Sequence, residues 1–123
     1  MTTVGGGYLT VKPDLFHEDF AADVPERLAH FAAISQVPIA GDSFGATVKV
    51  AAWSQKRSFA VIATHDRMIN PALERFMAGR AKLDAIELRG SHAIFLSHPK
   101  EVATLIERPY WSPTRPLTSE GVQ

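Results

Sequence analysis

One stretch, residues 58–106, limits what this chain can fold into more than any other. It reads SFAVIATHDRMINPALERFMAGRAKLDAIELRGSHAIFLSHPKEVATLI, with strand-like and helix-like segments in alternation. Ser58–Thr64 is a nearly continuous apolar run containing Phe59, Val61 and Ile62, the pattern of a strand covered on both faces. Asn70-Pro71 then supplies an N-cap and a first-turn proline, and Leu73, Phe76 and Met77 recur on one helical face. Asp84–Leu88 has the length of a second strand, and Gly90 breaks it. Pro99 starts another helix with Val102, Leu105 and Ile106 on one face, Ser97 or His98 is expected to cap it, and Pro109 is expected to end it. A strand–helix–strand crossover of this length makes the two strands parallel. Asp66 and His92 therefore both fall just beyond the carboxyl ends of neighbouring parallel strands, the edge where open α/β sheets bind ligands.

Two segments here, AT-H-D-R-M-I-N-P and G-S-H-A-I-F-L-S-H-P, resemble the acid and histidine segments of the α/β-hydrolase family. The likeness is closest to an esterase-like branch that includes plant methylesterases and hydroxynitrile lyases, and it runs from residue 7 to residue 107. In that family the triad follows the chain order nucleophile, acid, histidine. The resemblance implies that Asp66 is the acid and His92 the general base. Under that resemblance, the strands that carry the nucleophile and the oxyanion hole are not expected within residues 1–123. The expected fold class is therefore α/β, a partial α/β-hydrolase fold in which a lid-like helical segment precedes a β-α-β-α unit with parallel strands. Residues 1–57 are expected to form the lid and the return to the sheet, 58–108 the β-α-β-α unit, and 109–123 a mobile tail whose root Tyr110 and Trp111 pin.

Before the parallel unit, Gly5-Gly6-Gly7 reads as a flexible start or hairpin turn ahead of the β-like run Tyr8–Val11. From Asp14, a candidate cap, the pattern turns helical, with Phe16 and Phe20 one turn apart. Asp23 and Pro25 restart the helix, and Leu28, Phe31, Ala32 and Ile34 carry its apolar face. Trp53 reads as core or lid packing.

Gly41-Asp42-Ser43-Phe44-Gly45 matches G-x-S-x-G, the nucleophile elbow, and Ser43, Asp66 and His92 even follow the triad order. The flanks argue against Ser43 as nucleophile. An elbow needs a buried strand before the serine and a helix after it. Here a proline interrupts the preceding Val37–Ala40, and the β-branched, alternating Ala46–Val50 follows. A βαβ unit takes roughly 30 residues or more, and the interval from Ser43 to Asp66 is shorter.

His65, Asp66 and His92 are the one metal set the sequence offers, and no tight ligand spacing supports it. No cofactor and no metal are expected. His17 and His30 read as surface or helix-end residues. The 13 basic and 13 acidic side chains balance without a long like-charge run, so neither nucleic acid nor an anionic membrane is an expected partner. The chain has no cysteine, which excludes disulfides and thiolate metal sites and fits a cytoplasmic location. Its start lacks the basic and apolar regions of a secretory signal.

Three functions remain open from the residues. The first is a small-ester hydrolase present as its C-terminal part, inactive alone, whose Asp66 and His92 serve a nucleophile supplied by an N-terminal half. It leaves the Ser58–Thr64 strand with an open edge, inviting a second copy or a partner chain. The second is a non-catalytic small-molecule or protein-binding module. The third, least supported, is a miniature esterase using Ser43.

Overall fold

The computed structural model describes residues 1–111, in two small sheets with helices packed between and around them. The tail expected at 109–123 lies almost wholly outside the described residues, as do the side chains of Tyr110 and Trp111.

The amino-terminal part is less helical than its sequence suggests. Strands β1 (Thr2–Gly5) and β2 (Tyr8–Thr10) form an antiparallel hairpin, and β3 (Ile39–Ala40) pairs antiparallel with β2. The triple glycine is the turn, with all three residues at positive φ, a region that residues with a Cβ rarely occupy. Residue 41 must also be glycine. A Cβ there would lie 2.9 Å from the Gly7 carbonyl oxygen, which accepts the Gly41 N–H at 2.8 Å.

After β2 the chain forms a short helix, α1 (Pro13–Leu15), which widens into a π-helical turn at Phe16–Phe20. Asp14 lies in the first turn and makes no capping bond. Lys12 holds the cap position, because Pro13 already supplies the helical φ. Helix α2 (Glu26–Ile34) follows with Pro25 at its cap. It buries Ala29 and Ala33, while Leu28, Phe31 and Ile34 stay exposed, Phe31 at 63%. The expected apolar face is therefore not the packed one. Small side chains let α2 approach Val11, Phe16, Ala21 and Val24, and these residues with Ala93 make one buried cluster. Gln36 closes it by bridging the N–H and carbonyl of Val11 and the Ala33 carbonyl. Ala46–Val50, expected to be strand-like, is exposed and irregular, and Trp53 sits in an exposed 3-10 turn at Ala52–Ser54. Neither segment finds a partner strand or core among the described residues.

The carboxyl-terminal part is the expected β-α-β-α unit. Strand β4 (Phe59–Ala63) and β5 (Asp84–Leu88) pair in parallel, Phe59 opposite Asp84 through Ala63 opposite Leu88. Helix α3 (Pro71–Ala81) crosses between them. The Asn70 side chain accepts the Ala72 N–H at its start, and Lys82 in the left-handed region closes its end. Arg75 on α3 makes two bonds to Glu87 on β5. Burial on both faces holds only at the end of β4, at Ile62 and Ala63. Leu73, Phe76 and Met77 on α3 are exposed, Phe76 at 65%, because no element covers that face among the described residues.

A short helix, α4 (Ile94–Ser97), leads into α5 (Pro99–Trp111). Neither expected side-chain cap forms at the start of α5. Ser97 Oγ donates to the Ile94 carbonyl, and the His98 Nε2–H donates to the Arg89 carbonyl. Helix α5 also runs past Pro109, where the sequence predicts its end. Near a helix terminus the missing proline N–H forfeits one bond without ending the element. Leu105 on α5 is buried and Ile106 is exposed. No helix among the described residues is long and apolar enough to cross a membrane.

Candidate active site

The parallel ladder between β4 and β5 continues beyond the strands themselves. The Thr64 N–H donates to the Leu88 carbonyl at 2.9 Å, and the His65 N–H to the Gly90 carbonyl at 3.0 Å. The two loops that follow are thus held side by side, which brings Asp66 and His92 together. The Asp66 N–H turns back to the Ala63 carbonyl. Its Oδ1 accepts the N–H groups of Met68 at 2.6 Å and Ile69 at 2.9 Å, and its Oδ2 lies 2.6 Å from His92 Nδ1.

Burial differs across this pair. The Asp66 side chain is 1% exposed and that of His92 is 29% exposed. A carboxylate can only accept, so the imidazole proton sits on Nδ1. Nε2 then carries the lone pair and has no hydrogen-bond partner among the described residues. An acid buried behind a reachable imidazole base can move a proton at Nε2, and the carboxylate stabilises the imidazolium that results.

The turn around Phe20 packs directly on the histidine. The Phe20 ring lies 4.7 Å from the His92 ring, tilted by 58°, and Phe16 stacks on Phe20 at 4.7 Å. The Ala93 N–H donates to the Phe20 carbonyl at 2.8 Å. Ser91, 2% exposed, donates its hydroxyl to Asp23 Oδ1. Burial works to raise the Asp23 carboxyl. Hydrogen bonds, chiefly from the Ser91 hydroxyl and backbone, together outweigh it and hold the carboxyl below its ordinary value. Arg67, in the loop after Asp66, reaches Glu18 at 2.9 Å and Asp19 at 3.5 Å, a second tie to the Phe16–Phe20 turn.

Glu74 on α3 completes the surroundings. One of its carboxylate oxygens, Oε2, is buried with no hydrogen-bond partner among the described residues. Burial first, and the Asp66 charge second, push this carboxyl above its ordinary value. The opposing pull of His92, the Ala63 N–H and Arg75 is smaller.

Ser43 is not brought to this constellation by any bond among the described residues. It lies in an exposed 3-10 turn, Gly41–Gly45, between a two-residue strand and irregular chain. Lys82 is the one non-glycine residue at positive φ among the described residues, so Ser43 lacks the strain of an elbow. The first glycine of the motif serves the hairpin instead. His65 is exposed and its Nδ1 lies 3.3 Å from Thr64 Oγ1. Among the described residues no group of three metal-ligating side chains forms. The His17 Nε2–H donates to the Val24 carbonyl at 3.0 Å, fixing the turn before α2.

Sequence reasoning missed Phe20, Asp23, Glu74 and Ser91 as members of this site. In the sequence Asp23 signals only a helix restart and Gly90 only the end of a strand. The pairing of Asp23 with Ser91 spans 68 residues and leaves no local signal.

No curated protein and no solved structure gives a significant match to the chain. A family model described as the alpha/beta hydrolase family matches residues 3–105, well over half of the sequence. Together with two parallel strands that present an acid and a histidine at their carboxyl ends, the match establishes that the chain belongs to the α/β-hydrolase family.

Proposed function

We propose that this chain provides the acid and general base of a serine hydrolase acting on small esters, in the manner of the esterase-like branch, and that it is inactive alone. The observation that carries the reading is the buried Asp66 carboxylate bonded to His92 Nδ1, with Nε2 left as a base. Ser43, in an unstrained exposed turn, is not the nucleophile. The nucleophilic serine and the oxyanion donors come from a further polypeptide segment or partner chain.

In the complete site, His92 Nε2 accepts the serine hydroxyl proton as Oγ bonds to the ester carbonyl carbon. The tetrahedral intermediate then expels the alkoxide, which takes the proton from the imidazolium, leaving an acyl-serine that water cleaves by the same steps. Throughout, Asp66 keeps the proton on Nδ1. The open edge of β4 supports this reading. Alternate N–H groups of β4 bond to β5, so that of Val61 faces the other way, where no strand pairs among the described residues, while that of Ala63 meets the Glu74 carboxyl. A strand added there would extend the sheet.

Fluorophosphonate labelling of the purified chain, with the modified residue located by mass spectrometry, tests the proposal. The expected result is no labelling of the folded chain. Labelling at Ser43 that disappears in His92→Ala would overturn it.

A further inference from the structure

His92 is held from both flanks by one short piece of the lid. On one side the Ser91 hydroxyl donates to Asp23 Oδ1, and on the other the Ala93 N–H donates to the Phe20 carbonyl. Between these anchors the Phe20 ring rests against the imidazole. The Asp23 carboxylate also fits where residue 90 has no side chain. A Cβ on Gly90 would lie 2.5 Å from Asp23 Oδ2 and would also collide with Ile94. Ser91 is almost completely buried, so its hydroxyl is bound inside the structure rather than offered to a ligand. Asp23 and the Gly90-Ser91 pair are thus shaped for each other across the lid and the histidine loop.

We propose that Asp23 is a positioning residue for His92. Through Ser91 it couples the docked lid to the imidazole, so that His92 faces Asp66 in the right orientation only while the lid segment is seated. The proposal rests on the reading of Asp66 and His92 as the acid–base pair. It assigns Asp23 no contact with substrate. A hydrogen bond to a charged acceptor is the strongest kind available to Ser91, and Gly90 leaves no bulk to replace it if it is lost.

The test is nuclear magnetic resonance of the full chain labelled with 15N-histidine, following the far-downfield Nδ1–H proton of His92 and its exchange with water. Asp66→Asn should shift this resonance upfield. In Asp23→Ala the proton should exchange about tenfold faster, the loss of one hydrogen bond to a charged group. Asp23→Asn, whose amide oxygen still accepts from Ser91, should restore nearly wild-type exchange. Ser91→Ala removes the same bond from the other side and should match Asp23→Ala, and it carries the test if Asp23→Ala does not fold. A resonance indifferent to Asp66→Asn would overturn the acid–base pair, and this proposal with it. A normal Asp66→Asn response beside unchanged exchange in Asp23→Ala or Ser91→Ala would overturn the positioning role alone. A lower melting temperature with an unchanged His92 signal is what a merely structural tie produces, and it would also overturn the proposal.

Discussion

Replacing Glu74 by glutamine should stabilise the protein at neutral pH. Glu74 Oε2 is buried without a partner, and the Asp66 charge lies close enough to raise its carboxyl further. An unsatisfied buried acceptor costs about 1–3 kcal/mol. The side chain is partly open to water, which screens the repulsion and brings the expected gain down to about 1 kcal/mol. For a domain of this size that corresponds to a rise in melting temperature of about 4 °C. Glutamine keeps an oxygen for the Ala63 N–H and places a donor where the orphaned oxygen stood. The sign of the pH dependence follows from the direction of the shift. A carboxyl raised in the folded state costs nothing while protonated, so the wild type keeps its full stability below the ordinary value of 4.5. That stability is lost as the pH rises through the raised folded value. The difference between Glu74→Gln and wild type should therefore be near zero in acid and grow toward neutrality. Thermal unfolding followed by circular dichroism across this range measures it. A difference that does not change with pH, or a destabilised variant at neutral pH, would refute the reasoning.

Three further outcomes are expected. Asn70→Ala removes the bond to the Ala72 N–H at the start of α3 and should cost about 1 kcal/mol in urea unfolding. Lys82→Gly relieves a left-handed backbone, φ 54°, at the end of α3. It should stabilise by about 0.5 kcal/mol, the strain relieved exceeding the entropy glycine adds to the unfolded chain, as read by the same unfolding midpoint. Asp23 has a depressed carboxyl, so its contribution is present above the ordinary 3.8 and lost as the pH falls through the lower folded value. Wild type should accordingly lose its advantage over Asp23→Asn in that acid window, as melting temperatures of the two proteins measured side by side would show.

The local chemistry of the carboxyl-terminal unit was legible in the sequence. A run of β-formers, an Asn-Pro helix start and a short second apolar run suffice to specify a parallel crossover, because each signal acts within a few residues. Their order also places Asp66 and His92 beyond neighbouring strand ends, and the ladder carried on by Thr64 and His65 joins them. The same kind of reading turned Ser43 away, since its flanks lack a strand and a helix. Apolar spacing, by contrast, misjudged which faces are covered. It marked Phe31 and Phe76 as packed, and both are exposed, because periodicity shows that a face is apolar but not whether anything lies against it.

Only the tertiary structure decided what surrounds the pair. Asp23 meets Ser91, Phe20 meets His92 and Glu74 approaches Asp66 through contacts between elements, and no local pattern encodes these. Their physical basis is packing. Alanines on α2 and the missing side chain at Gly90 let the amino-terminal helices come close enough for the Asp23 carboxylate to reach the histidine loop. The sequence by itself determined that Asp66 and His92 lie at one sheet edge. The fold decided that Phe20 and Asp23 pack on the segment that carries His92, because hydrogen bonds and close contacts depend on distances that only the assembled chain sets.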